Sequence, residues 1–390
     1  MKKKAGARRV FILFLALMLV FTVLPIKAYA DGPEESIIIL RREGAMLFTR
    51  LSYREIPYAK QDGSVSCRRL KVYRPFIQNA PTPLIYNAHY EIGETDERLY
   101  DYLERGWTVV SPCEVLAEEA ASLAGDDLLF NMAALRYAAA LDGVDATRVG
   151  VTGSSAGGYT ALMLGAFCPG IKAIVADSPI TNLYFSLGVY LKSTAAANSA
   201  AMSEELKQLI SDPKLIYDPA VNAFVVSQLG LLPMPVAAEV AFSYLPVADS
   251  LAGSDTALYE FLSPIGHAEE ISCPLVINHH TSDVLVPLDQ VIRTGLYPGE
   301  DALMPEGVSV RLDTKAEGRL GKSFYELLDP AEVRVNHIPL TEAYDGMPYD
   351  SAFRININVY DDGPVDPHAG HNSSGSRTDK ADAAFFEIIL

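Results

Sequence analysis

Residues 149–166, VGVTGSSAGGYTALMLGA, constrain the fold more than any other stretch of the chain. Val149 and Val151 read as a buried strand. Tyr159, Leu162, Met163 and Ala166 recur at three- and four-residue spacing, as on one face of a helix. Between them, small residues crowd one corner, where glycine reaches positive φ without a Cβ penalty. Gly153-Ser154-Ser155-Ala156-Gly157 fits the G-x-S-x-G turn, in which the middle serine is held up at the C-terminal edge of a sheet as a nucleophile. That middle residue is Ser155. A glycine-rich turn without chemistry is the alternative, and the strand before and helix after weigh against it.

The remaining chain supplies a setting for such a corner. SIIILRREGAMLFTRLSYREIPYAK and CRRLKVYRP read as opening strands, followed by strands at PLIYNAHY, WTVVSP, TRVGVTG, IKAIVADSP, PLVINHH and FRININVY. TDERLYDYLERG and DDLLFNMAALRYAAALDG read as helices between them. This alternation implies an α/β class with a mostly parallel sheet and helices on both faces. Residues 178–270 break the rhythm with Ala-, Ser- and Leu-rich segments such as MSEELKQLI, expected to form a helical cap beside the catalytic edge. Residues 293–352 read as a second, irregular insertion before the last strand, and a short helix ends the chain. The whole of 31–390 is expected to be one domain.

The first 30 residues combine a basic start, MKKKAGARRV, with an apolar stretch and the small-x-small ending Ala28-Tyr29-Ala30. They read as a cleaved secretory signal; residues 11–26 are short for a membrane span, which needs about 20 apolar positions. Arg8-Arg9 also hints at twin-arginine export. The protein is therefore expected outside the cytoplasm or on the cell envelope, without stable membrane insertion after cleavage. The net charge is −17, and without the first 30 residues 26 basic face 49 acidic side chains. That balance disfavours nucleic acid and anionic membrane as partners. Cys67, Cys113, Cys168 and Cys273 are too scattered for a disulfide scaffold and form no C-x-x-C site. Cys168 and Cys273 each precede a strand of the expected sheet and are candidates for a disulfide, with burial as free thiols the alternative.

A serine hydroxyl becomes nucleophilic when a neighbouring base takes its proton, and that base needs an acid to fix its tautomer. In chains with this turn the order is serine, acid, histidine, each in a loop after a strand. PLVINHHTSDVLVP places Asp283 after a strand, and NINVYDDGPVDPHAGH places His368 and His371 after the last one. With IPYAKQDGSVSCRRLKVYRP, TRVGVTGSSAGGYTALM, SPIGHAEEISCPLVINHHTSDVLVP and the final AGH together, the chain from about residue 53 to 390 resembles a serine hydrolase of the α/β-hydrolase superfamily. The resemblance is to the prolyl-oligopeptidase-like and acetyl-esterase-like branches. It implies Ser155 as nucleophile, Asp283 as acid and His371 as base, with no cofactor. The family's common His-Gly-Gly is replaced here by Tyr86-Asn87-Ala88-His89-Tyr90. One oxyanion donor would be the Ala156 N–H, and the other the backbone or hydroxyl of Tyr90, resembling the Pro-Tyr segment of cocaine-esterase-like relatives.

Alternatives stay open beside these assignments. Asp177 could be the acid, as in some relatives, or cap a loop. His279 and His280 are expected to line the acid loop, and His267 and His337 to be structural; His89 is balanced between chemistry and packing. His368 and His371 with Asp366 could hold zinc, but no further motif supports a metal. Tyr184, Phe185, Tyr190, Phe224, Phe242 and Tyr244 in the cap could line an apolar acyl pocket or simply pack. The expected function is a carboxylesterase acting on small or medium ester substrates through an acyl-enzyme. Its rivals are a prolyl-oligopeptidase-type peptidase and a catalytically silent binding protein.

Overall fold

The structure, a computed structural model, describes residues 35–113, 123–191, 203–205, 208, 256–281, 283, 285–293, 316, 318–338, 349–360 and 374–390. Ten strands form one sheet: β1 (Glu35–Arg42), β2 (Ala45–Ala59), β3 (Val65–Pro75), β4 (Thr82–Asn87), β5 (Thr108–Pro112), β6 (Val144–Ser154), β7 (Ile171–Asp177), β8 (Leu275–His280), β9 (Val333–Ile338) and β10 (Ile355–Tyr360). Their order across the sheet is β1-β2-β3-β5-β4-β6-β7-β8-β10-β9. β1, β2 and β3 pair antiparallel, β3 joins β5 antiparallel, and every pairing from β5 onward is parallel.

The continuous apolar runs of the central strands follow from burial on both faces. Leu84, Tyr86, Val149, Val151, Ile174, Ala176, Leu275 and Ile277 point into one core. Helices α2 (Asp126–Ala139) and α3 (Ala156–Phe167) cover it through Phe130, Leu135, Tyr159 and Leu162, and the short α4 (Thr256–Phe261) adds Tyr259. The intervening residues Ile85, Val109, Ala173, Val175 and Val276 point the other way, into a core closed by α1 (Glu97–Glu104) and the C-terminal α5 (Ser374–Ile389). Tyr102 of α1 and Phe385 and Phe386 of α5 fill that side. α1 starts where Asp96 accepts the N–H of Arg98, a side-chain cap on an orphan donor.

Two expectations change. The stretch 293–352, read as irregular, contains β9, which extends the sheet beyond β10 in parallel register from Ile355↔Val333 to Tyr360↔Ile338. Cys168 and Cys273 do not pair; both are buried free thiols. β7 and β8 are neighbours as expected, with Ile174 level with Leu275. That register sets Cys273 beside the chain near Lys172, while Cys168 lies further back, across the Pro169-Gly170 turn at the end of α3. Burial raises the two thiols to about 12 and about 11, which keeps them protonated and unreactive at neutral pH.

Candidate active site

The loops after β4, β6, β7 and β8 meet at the C-terminal edge of the parallel strands, where an open α/β sheet binds its ligands. Ser155 occupies the corner between β6 and α3 with φ 55° and ψ −118°, a left-handed backbone rare for a residue with a Cβ. Its N–H donates to Asp177 O at 2.8 Å and its carbonyl accepts the N–H of Tyr159 at 3.0 Å. Such strain, on the order of 1–3 kcal/mol, persists only where the surroundings over-determine it. Here they do. A Cβ on Gly153 would overlap the carbonyl of Gly157, and one on Gly157 would lie 2.6 Å from Ala88 O. Ser155 is half-buried, and the neighbouring Ala156 is the first helical residue. The Ala156 N–H is thus one of the orphan donors at the positive end of α3.

The segment after β4 packs onto this corner. Ala88 N–H donates to Thr152 O at 2.8 Å, and Asn87 Nδ2 holds Tyr90 O at 2.7 Å. The Tyr90 N–H is committed to Ala88 O at 2.8 Å, so the backbone of Tyr90 is not a donor toward Ser155. Its ring lies beside Gly157, since a Cβ built there would sit 3.4 Å from Tyr90 Cδ2.

His89 has φ 68° and is buried. Its Nδ1 lies 2.7 Å from Asp127 Oδ2, while Asp127 Oδ1 takes Arg68 Nη1 at 2.8 Å. Arg68 stacks over Phe130 at 4.0 Å. Asn131 Oδ1 accepts the His89 N–H at 3.0 Å and the Tyr86 hydroxyl at 2.9 Å, and Asn131 Nδ2 donates back to Asp127 O at 2.8 Å. Burial raises the Asp127 carboxyl, but His89 and Arg68 beside it prevail and hold it below the ordinary carboxylate value. A buried ionic network thus clamps the segment that carries Tyr90. Sequence reasoning singled out His89 and missed Asp127 and Arg68. The available signal was Asp127 and Asn131 at i,i+4 on one face of a helix otherwise rich in buried apolar residues.

On the other side of Ser155, Asp283 is buried in the loop after β8. Its Oδ1 accepts the N–H groups of Leu285 and Val286 at 3.0 and 2.9 Å, so local backbone fixes the carboxylate. Oδ2 lies 3.7 Å from His279 Nε2, which donates to Val286 O at 2.7 Å. His280 stacks on Tyr360 of β10, ring centroids 5.1 Å apart. His371, His368 and Asp366 lie outside the described residues, in the connection between β10 and α5. Gln290, in the turn beyond Asp283, takes the N–H groups of Thr181 and Asn182 and the Ser186 hydroxyl at 3.0, 3.2 and 2.9 Å, tying the segment after β7 to the loop after β8.

Asp177 sits differently. It ends β7, fully buried, and accepts Asn278 Nδ2 at 2.7 Å. Asn358 donates in turn to Asn278 at 2.9 Å and Asn336 to Asn358 at 2.8 Å, a polar ladder in register across β7, β8, β10 and β9. Asp382 of α5 lies 3.3 Å from Asn278 on the same side. Burial raises the Asp177 carboxyl, with the Asn278 hydrogen bond opposing. His267 donates to Phe261 O at 2.7 Å and packs edge-on against Phe167, and His337 is in β9. Tyr184 meets Tyr259 edge-on, and Phe185 is buried in the core. The side chain of Tyr190, and Phe224, Phe242 and Tyr244, lie outside the described residues. Among the described residues no His, Cys, Asp and Glu cluster could hold a metal ion.

Residues 126–204, which run from α2 through the elbow, match the family model for the prolyl oligopeptidase family. No curated protein matches the chain. Solved structures with a similar fold include Pyrococcus horikoshii acylaminoacyl peptidase, at 13% identity and TM-score 0.47 over 92% of this chain and 47% of that one. They also include acetyl xylan esterase from Paenibacillus sp. R4, at 12% identity and TM-score 0.42 over 92% and 90%. Puromycin hydrolase follows at 12% identity and TM-score 0.47 over 92% and 46%. The chain spans about half the length of the acylaminoacyl peptidases it matches. The sheet order and the strained serine elbow are those of an α/β-hydrolase fold, and the stretch that carries the elbow is similar to the prolyl oligopeptidase family.

Proposed function

We propose that the protein is an exported carboxylesterase that cleaves small or medium esters through an acyl-enzyme. The observation that carries this reading is the left-handed backbone of Ser155, imposed by Gly153 and Gly157, at the positive end of α3. Ser155 Oγ attacks the ester carbonyl while His371 takes its proton. Asp283, its carboxylate fixed by two backbone N–H groups, orients the imidazole. The tetrahedral oxyanion is held by the Ala156 N–H and the Tyr90 hydroxyl, each such donor contributing about 3–4 kcal/mol to the transition state. His371 then returns its proton to the leaving alcohol, and a water deprotonated by the same histidine releases the acid and regenerates Ser155.

The prolyl oligopeptidase family match favours a peptidase as the second reading. Amide cleavage needs timed protonation of a poor leaving amine, whereas an activated ester asks less of the base. Turnover of short-chain p-nitrophenyl esters is therefore expected to exceed that of prolyl- and aminoacyl-nitroanilides. Ser155→Ala abolishes turnover and fluorophosphonate labelling with an unchanged melting temperature, and Ser154→Ala retains both. Faster cleavage of the anilides at Ser155 promotes the peptidase; a labelled Ser155 variant removes the serine mechanism altogether.

A further inference from the structure

The net charge of −17 conceals an asymmetry. Between Glu35 and Gln78 the chain carries nine Arg and Lys against four Asp and Glu. The same segment holds eight of the ten exposed large apolar or aromatic side chains among the described residues. Part of each set falls on one face of the β1–β2 hairpin. Register sets Ile39 opposite Phe48, Ile37 opposite Arg50 and Arg41 opposite Met46, and these all share that face. Their neighbours Leu40 and Leu51 point into the opposite core. Ile37, Ile39, Met46 and Phe48 are 61, 42, 55 and 46% exposed, and the Phe76 ring lies 6.1 Å from that of Phe48. Isolated exposed apolar residues are ordinary; a contiguous set rimmed by charge marks a binding surface.

The rim is basic. Arg74 pairs in register with Arg50, and Arg54 lies two repeats of the pleat further along β2 on the same face. The Nε atoms of Arg54 and Arg74 are shielded from solvent and have no hydrogen-bond partner among the described residues. Burial and then the Arg50 and Arg54 charges lower the Arg74 guanidinium below its usual value. Opposing them are Glu35, 3.4 Å from Arg50, and the more distant Asp142. Position completes the picture. Tyr73 of β3 is level with Val109 at the start of β5, so this end of the hairpin lies at the edge of the sheet away from Ser155.

We propose that this hairpin face is a docking surface for a lipid bilayer with anionic headgroups. Ile39, Met46, Phe48 and Phe76 enter the interface, and Arg41, Arg50 and Arg74 meet the phosphates. Docked in this way, the protein presents its Ser155 edge to the aqueous side. A basic side chain near an anionic surface contributes about fivefold in affinity.

The test uses the full chain with Phe48→Trp as reporter, against vesicles of phosphatidylglycerol and phosphatidylcholine with brominated acyl chains. The single native tryptophan, Trp107, is 6% exposed and serves as background. Quenching of the new indole by mixed vesicles, weakened at least fivefold by Arg41→Glu or by 0.5 M salt, supports the proposal; so does a tenfold loss of vesicle partitioning in Ile39→Asp with an unchanged melting curve. It is overturned if the chain floats with vesicles while the indole stays unquenched, since the N-terminal apolar stretch then does the binding. Equal quenching by pure phosphatidylcholine overturns it too, as does a dimer in sedimentation velocity that Phe48→Asp dissociates, which makes a second copy the occupant.

Discussion

The serine elbow and the opening hairpin are built from the same sheet and treated in opposite ways. At the elbow every small residue is forced: the backbone of Ser155 is left-handed, and carbonyls of Ala88 and Gly157 leave no room for a Cβ on Gly157 or Gly153. At the hairpin, Ile37 and Phe48 stand in solvent with space around them. Strain and close packing are concentrated where an atom must be held to a fraction of an ångström, and looseness is left where a surface has only to present apolar area and charge. Substitutions should therefore lose their effect steadily from the first region to the second.

The largest effect is expected at Gly157→Ala. Its methyl would meet the Ala88 carbonyl, which belongs to the segment carrying Tyr90, so the proposed oxyanion side must retreat. A displacement of about 1 Å at reacting groups lowers rate on the order of 100-fold, and overpacking costs about 1–3 kcal/mol of stability. Kinetics on a p-nitrophenyl ester together with a thermal melt check both; an alanine variant with full kcat would show that the Ala88–Tyr90 segment does not touch the transition state.

How much of this was legible in the sequence depends on range. The elbow was, because Gly153 to Gly158 and the flanking strand and helix are contiguous. So were the central strands, whose uninterrupted apolar runs report burial on two faces. β9 was not: VRVNHI is six residues in a polar surrounding, half-exposed at the sheet edge, and only its pairing with β10 makes it a strand. The contact between His89 and Asp127 joins residues 38 apart in the chain, and Arg68 reaches Asp127 from an opening strand 59 residues away. No local pattern encodes such a meeting. The unused Cys168–Cys273 pair shows the converse: the strand order was right, and a register offset of a few residues decided the chemistry.

Next in size is Asp127→Asn, which leaves Arg68 and His89 buried without their counter-charge. Removing one partner of a buried pair costs about 3–5 kcal/mol. The sign with pH is fixed by the lowered Asp127 carboxyl. Its contribution is in full above the ordinary Asp value of about 4 and drains as pH falls through the lower folded value. The deficit of the variant, measured by denaturant unfolding, should thus be greatest at neutral pH and shrink in strong acid. A clamp on Tyr90 also predicts a lower kcat at little-changed KM for the surviving folded enzyme.

Asp177→Asn is expected to move the other way. The Asp177 carboxyl is raised by burial, so its ionised form is a burden on the fold once pH climbs above the unfolded value of about 4. The asparagine keeps an acceptor for Asn278 and removes that burden. The melting temperature should rise at pH 8, by about 2–4 °C per kcal/mol recovered, and the gain should vanish toward pH 4. Activity separates the two candidate acids: Asp177→Asn retains turnover if Asp283 orients the base, and a loss of 1,000-fold or more would transfer that role to Asp177.

The smallest effect belongs to the hairpin. Phe48 is nearly half exposed, its ring lies 6.1 Å from that of the equally exposed Phe76, and the core on the opposite side of the strand is filled by Leu47, Leu51 and Leu40. Truncation there removes little buried area, so Phe48→Ser should change unfolding free energy by less than about 0.5 kcal/mol and leave ester turnover in solution unaltered. The same change at a buried phenylalanine such as Phe386 would cost about 3–5 kcal/mol. If Phe48→Ser instead lowers the melting temperature by several degrees, the hairpin face is already covered by another part of the chain. The contrast between a strained edge and an open one would then fail, and with it the surface that the bilayer is proposed to meet.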